Sequence, residues 1–200
     1  MHISNDLYFR DRQRHDLALR MIRHEARTCT IRSCTGLTDD RIRRLYKTYT
    51  RHHSGSTVRR RRGKSPRQVA FFTRNINMQF EASFLNSVFA AFGLLQAAGT
   101  AVSGDASIEQ GELFCDAYET HRQLLHTTRI TFEHAWFLLQ LLSRGGALKN
   151  ARCRHCSSRY LRDGMNAARI SCPFCELKSG EKNAAAPAGR SGSRRHTTPS

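Results

Sequence analysis

Four cysteines near the carboxyl end constrain this chain more than any other feature. Cys153-x-x-Cys156 and Cys172-x-x-Cys175 are separated by 15 residues, the spacing of a zinc ribbon or knuckle. In such a module each short turn aims two sulfurs at one point, and the stretch between the turns folds back as a hairpin. Pro173 stiffens the second turn. The expected occupant is one structural Zn2+ held by four thiolates, with an iron–sulfur centre as the other metal reading and His155 as the only substitute ligand in reach. A closed shell leaves no position for water, so such a metal stabilises rather than catalyses, and chelation should collapse the module. Disulfides are not expected in a cytosolic setting, and the second pair argues against an isolated redox Cys-x-x-Cys. Cys29, Cys34 and Cys115 lie in segments expected to be helical and read as small buried apolar residues.

Charge supplies the second constraint. The 200 residues carry 33 Lys+Arg against 16 Asp+Glu, a formal +17, more than solubility requires. Its distribution is uneven: +13 in residues 1–74, −3 in 75–150 and +7 in 151–200. A drift toward arginine would have loaded the middle as well, so the two ends read as polyanion-facing and the middle as a packing or assembly part. No run approaches the roughly 18 apolar residues of a membrane helix, and Met1-His2-Ile3-Ser4-Asn5-Asp6 lacks the apolar stretch of a signal peptide. A cytoplasmic protein without membrane contact is therefore expected.

The N-terminal third has a helix-turn-helix pattern. From Asp16 to Arg27, Leu17, Leu19, Met21, Ile22 and Ala26 recur at near-helical spacing among charged residues. A shorter segment, Thr28 to Cys34, turns Ile31 inward. Thr35-Gly36-Leu37-Thr38 then permits a sharp turn, plugs the interior with Leu37 and offers Thr38 as an N-cap, with Asp39 and Asp40 in the first turn of the next helix. That helix buries Ile42, Leu45 and Tyr49 and leaves Arg41, Arg43, Arg44 and Lys47 outside. A capped basic second helix is the part that enters a major groove, where arginine donates two parallel bonds to guanine. Thr38 and Asp40 can read bases or cap. The run Arg59-Arg60-Arg61-Arg62-Gly63-Lys64 should stay mobile until phosphate neutralises it, gripping a backbone without reading sequence.

The middle reads as a helical assembly core. Ile76, Phe80, Phe84, Val88, Phe92 and Leu95 mark one helix, with Leu85 and Phe89 widening its stripe. A second helix is expected from Ile108 to His126 with Leu113, Phe114, Ala117, Tyr118 and Leu125 inward. A third, Thr131 to Ser143, should bury Phe132, Ala135, Trp136, Leu139 and Leu142 and stop at Gly145-Gly146. His121, His126 and His134 read as surface or satisfied core histidines. The expected fold is mainly α, in five parts: helix-turn-helix-like region 1–58, basic loop 59–74, helical core 75–150, zinc-ribbon-like module 151–176 and a disordered basic tail 177–200. No clustered carboxylates, phosphate-binding Gly-rich loop or thiol with an evident base points to an enzyme.

This order of parts resembles the FlhC family, the C subunit of the flagellar master transcriptional activator. The carrying residues are Leu37-Thr38, Arg41-Ile42-Arg43-Arg44-Leu45-Tyr46-Lys47, the loop with Pro66, Ala135-Trp136 and the four cysteines. The resemblance implies a bacterial activator that binds double-stranded promoter DNA in a hetero-oligomer (a heterohexamer) with an FlhD subunit. It implies one zinc on Cys153, Cys156, Cys172 and Cys175, and recruitment of RNA polymerase. Ser157-Ser158 stand where the family usually has glycines, and Arg59 to Pro66 is more basic than usual, so the operons controlled are flagellar or of a conjugation type. A zinc-ribbon RNA-binding or ribosome-associated protein is the alternative, which leaves the capped Thr38 helix without a purpose.

Overall fold

The computed structural model describes residues 2–52, 58–95, 107–164 and 171–184, with side chains from 7 to 51, 58 to 95, 107 to 164 and 171 to 179. It is mainly helical, as expected: α1 (His2–Arg23), α2 (Thr28–Thr35), α3 (Asp39–His52), a single 3-10 turn (Val69–Phe72), α4 (Ile76–Ala91), α5 (Ile108–Leu124), α6 (Phe132–Arg144) and α7 (Pro173–Ala184), with one hairpin of β1 (Leu148–Arg152) and β2 (Arg159–Asp163).

The helix expected from Asp16 begins fourteen residues earlier, at His2. Residues 2–15 have no apolar period, so periodicity could not find them; Leu7, Tyr8 and Phe9 stand exposed. The helix also stops sooner, at Arg23, and Ala26 is buried from the turn that follows rather than from a helix face. Leu17, Ala18, Met21 and Ile22 are completely buried and meet α2 and α5 where they cross. Gly111 of α5 lets the three elements approach, since a Cβ there would stand 2.7 Å from Leu17 Cδ2 and 3.1 Å from Cys34 Cβ.

Helix α4 forms the middle of the molecule. Asn75 caps it, its side chain accepting from Met78 N at 2.9 Å. It ends at Ala91, short of the expected Leu95, where Gly93 turns at φ 71 and Leu94 N donates back to Phe89 O. The expected stripe is buried in part: Leu85, Val88 and Phe89 are buried as expected, Ile76, Phe80, Phe84, Phe92 and Leu95 are half-buried, and Met78 and Ala82, which the stripe left out, are fully buried. The reason is that α4 is enclosed on nearly all sides, so polar residues also point inward and must find partners. Gln79 Nε2 donates to Leu161 O at 2.9 Å, Ser83 Oγ accepts Leu161 N–H at 2.9 Å, and Asn86 Nδ2 donates to Asn150 Oδ1 at 2.8 Å. These bonds dock the hairpin on α4. Glu81 accepts the N–H groups of Arg129 and Ile130 at 2.9 and 2.8 Å, holding the chain at the entry to α6.

Helices α5 and α6 run close to their expected spans, each capped by a hydroxyl: Ser107 accepts from Gln110 N, and Thr131 from His134 N. Phe114, Ala117, Tyr118, Phe132, Ala135 and Leu139 are buried as expected. Leu113 faces solvent, Leu125, Trp136 and Leu142 are half-buried, and Cys115 and Leu138 take the inner positions. Cys34 and Cys115 are buried apolar-like thiols, and burial pushes Cys34 up to about 12. Cys29, expected inside, is exposed and lies 3.4 Å from Ser65 Oγ; it occupies the outer face of α2, whose inner face is Thr30, Ile31 and Cys34. Beyond Cys175, where no regular structure was expected, α7 continues to Ala184. Pro173 sits at its first position, which suits a residue without an N–H, and Phe174 packs edge-on to Phe80 at 5.0 Å. The tail beyond residue 184 lies outside the described residues.

Candidate nucleic-acid interface and metal centre

The expected helix-turn-helix elements form in order. Gly36 closes α2 at φ 68, its N–H donating to Arg32 O. Thr35 Oγ1 donates to Ile31 O and accepts Leu37 N–H, fixing the turn from inside, and Leu37 is buried. Thr38 caps α3, its Oγ1 accepting Arg41 N–H at 3.4 Å. Ile42 is fully buried; so is Tyr46, which periodicity missed and whose hydroxyl donates to Ala26 O. Leu45 and Tyr49, expected inside, are half-buried flanks of that face.

On the outer face the expected readers divide into two groups. Arg41 grips the Asp11 carboxylate with both terminal nitrogens, at 3.1 and 2.9 Å, and Arg43 pairs with Asp40 at 2.9 Å. The Arg41 guanidinium holds the Asp11 carboxyl below the usual range. These pairs are exposed and so contribute little to stability; a phosphate or base edge can replace them. Arg44 and Lys47 are exposed and have no ion-pair partner among the described residues. They lie three residues apart and so share one face of α3. Arg51, one turn further along that face and also exposed, was absent from the expected set.

The basic loop is docked, not loose as expected. Glu25 takes Arg59 N–H at 3.2 Å and Arg61 Nε at 2.7 Å. Arg60 Nη2 donates to Thr28 Oγ1 at 3.2 Å, and Arg27 Nη1 donates to the carbonyls of Arg62 and Gly63 at 3.2 and 2.5 Å. Of the like charges that should repel one another, Arg61 is held by a carboxylate and Arg60 by a hydroxyl of the same corner, and the loop's own carbonyls take the Arg27 guanidinium. Glu133 anchors that corner to α6, accepting Arg27 N–H at 2.7 Å and the Thr30 hydroxyl at 3.1 Å. The side chains of Arg59, Arg62 and Lys64 remain exposed. A scan of spacing alone could not pair Glu25 with Arg61, 36 residues away.

The four cysteines converge. Cys153 and Cys156 stand in the turn between β1 and β2; Cys172 precedes α7 and Cys175 lies in its first turn. All four sulfurs lie within 4.8 Å of one another, with Cys153 to Cys175 at 3.7 Å and Cys156 to Cys172 at 3.6 Å. A tetrahedral ion with metal–sulfur bonds of about 2.3 Å sets its sulfurs about 3.8 Å apart, so the donor set fits one. The hairpin thus carries one cysteine pair in its turn instead of simply bridging the two pairs. Ser157 closes that turn at φ 59, the left-handed conformation that glycine adopts without cost, and its N–H donates to Cys153 O at 3.0 Å. Hydrogen bonds from the Cys156 and His155 N–H groups hold the Cys153 thiol below its ordinary value. Bonds from Ser158 bring Cys156 to about 6. His155 is exposed, and the set of converging ligand atoms contains four sulfurs and no imidazole.

Residues 4–186 match the family model described as FlhC, flagellar transcriptional activator. No curated protein matches the chain. Among the described residues, no helix is long and apolar enough to cross a membrane.

Proposed function

The chain belongs to the FlhC family of flagellar transcriptional activators, and we propose that it acts by reading promoter DNA with α3 while the Arg59–Lys64 loop grips the phosphate backbone. The observation that carries this reading is the pair Arg44 and Lys47: two cations with no ion-pair partner among the described residues, on one exposed face of a capped helix backed by buried Ile42 and Tyr46. A rigid backing is what lets a long side chain meet a base edge at fixed geometry. Arg62 and Lys64, exposed on the neighbouring loop, supply sequence-independent attraction.

In this reading one Zn2+ is held by Cys153, Cys156, Cys172 and Cys175 and acts as a structural cross-link between the hairpin turn and the start of α7. The residues around it have separate work: Ser157 and Ser158 shape the first turn, and Phe174 carries α7 onto α4. The partner is an FlhD-type subunit in a hetero-oligomer that recruits RNA polymerase to flagellar or conjugation-type operons. Leu7, Tyr8 and Phe9, 64%, 71% and 61% exposed near the start of α1, are an apolar surface available to such a partner.

The test compares two variants on a promoter duplex and a random duplex. Arg44→Ala should lower promoter affinity by about 1–3 kcal/mol while leaving the random duplex nearly unchanged. Lys64→Ala should weaken both alike and reduce the salt slope by about one. Equal losses from Arg44→Ala on both duplexes would remove α3 from the groove.

A further inference from the structure

Glu25 stands in the turn between α1 and α2 at φ 58, a left-handed backbone that carries a steric cost for any residue with a Cβ. Its side chain is spent entirely on the basic loop. Oε1 accepts Arg59 N–H at 3.2 Å; Oε2 accepts Arg61 Nε at 2.7 Å and lies 2.7 Å from Arg61 Nη2. A carboxylate taken this way by a guanidinium occupies the same donors that a phosphate would take. Arg62 and Lys64, in the same loop, have exposed side chains and no acidic partner among the described residues. The loop is therefore divided: Arg61 is neutralised within the chain, Arg60 is tied to the Thr28 hydroxyl, and Arg62 and Lys64 are left open.

We infer that Glu25 is an internal competitor of DNA phosphate, a specificity-determining residue that withholds Arg61 from the duplex. Phosphate contact strengthens binding to every sequence. Each contact withheld lowers the background on random DNA and leaves discrimination to the α3 side chains. A clamp on Arg59 N–H does a second thing: it fixes the start of the loop, so the open cations project from a defined place. The inference rests on the reading of the loop as a phosphate grip.

The experiment uses the full chain and a random-sequence duplex, with affinity measured from 50 to 200 mM salt for Glu25→Gln, Arg61→Ala, the double variant and Lys64→Ala. Glutamine retains an acceptor for Arg59 N–H and loses the charge. Glu25→Gln should bind about three- to tenfold tighter at the low-salt end, with a salt slope steeper by about 0.9, the value of one added phosphate contact. Arg61→Ala alone should change affinity less than twofold, and in the double variant the gain should vanish. Glu25→Gly, which suits the positive φ, should reproduce the gain. Unchanged or weaker binding by both Glu25 variants with native helicity overturns the inference. So does a gain that persists without Arg61, which would be a general charge effect. If Lys64→Ala also leaves affinity and slope unchanged, it is the underlying loop reading that fails, and the inference falls with it.

Discussion

At the scale of single residues, the most exposed consequence of this fold belongs to His121. It is completely buried on α5, and neither ring nitrogen has a hydrogen-bond partner among the described residues. The groups facing it are the Glu81 carboxylate of α4, 4.0 Å from Nε2, and the Phe84 ring; Arg122 is its neighbour in the chain. Glu81 is already occupied by two backbone N–H groups. Burial, with Arg122 adding to it, lowers the imidazole to about 4. The folded protein thus keeps a neutral ring where the unfolded chain takes a proton near pH 6.5. Stability is full above about 6.5 and is lost as pH falls from there toward 4, on the order of 3 kcal/mol from this group. Replacing the ring by an apolar one of similar shape, His121→Phe, should flatten the melting temperature against pH over that window and leave it no lower at pH 7. An unchanged pH profile would mean that the proton is taken up elsewhere. His24 and His134, also lowered by burial, account for the slope that should remain. Sequence placed His121 among surface or satisfied histidines because its fate depends on Glu81 and Phe84 of α4, some forty residues away in the chain.

At the scale of elements, the hairpin sets like charges against each other. Its register faces Lys149 with Arg162 and Arg152 with Arg159, all four exposed. Directly opposed like charges destabilise a strand pair by a few tenths of a kcal/mol up to about 1 kcal/mol. Arg162→Glu, at the end away from the cysteines, turns the first repulsion into an attraction. It should raise the free energy of unfolding by about 0.5 kcal/mol, read from denaturant melts; a loss would show that the side chains do not meet across the strands. Helix α3 and the cysteine pairs were legible in the sequence because their signals are local: a cap, a glycine turn, and a fixed two-residue gap. The register of the hairpin was not, since it is set by Gln79, Ser83 and Asn86 of α4, 82, 78 and 64 positions upstream of their partners. The first half of α1 was invisible for a related reason, since residues 2–15 carry no apolar period.

At the scale of the whole molecule, the segmental charge acquires a structural account. The acidic middle does not merely lack arginine; it answers the arginines of the N-terminal third. Arg20 of α1 meets Glu112, Asp116 and Glu119, one stripe of α5, at 2.6, 2.5 and 2.7 Å, and His24 meets Glu119 at 2.8 Å. Those bonds hold the Glu119 carboxyl down near 2. With Glu133 on the Arg27 corner, these contacts fasten the N-terminal third to the core, and buried apolar residues from α1 through α6 form one continuous cluster that also takes in Leu148 and Leu161.

The cysteine cluster lies outside that continuity, a small satellite of Cys153, Tyr160 and Cys172 with Ala151, Phe174 and Cys175 against it. Its independence decides what metal loss should do. A tetrathiolate site in a small peptide contributes on the order of 10 kcal/mol to folding, yet here the helices have their own core and the strand bases have their own bonds to α4. Chelation should release one zinc per chain and open the turn between β1 and β2 together with α7, not the whole fold. Most of the far-UV helical signal should survive, and the main cooperative melt should persist. Trypsin should gain cuts at Arg152, Arg154 and Arg159, in and beside the turn, without new cuts at Arg20 of α1 or Arg122 of α5. Cys172→Ser should show the same pattern and no stoichiometric zinc by elemental analysis. Global loss of helicity on chelation would mean that the metal supports the entire core, and zinc retained by Cys172→Ser would overturn the ligand set.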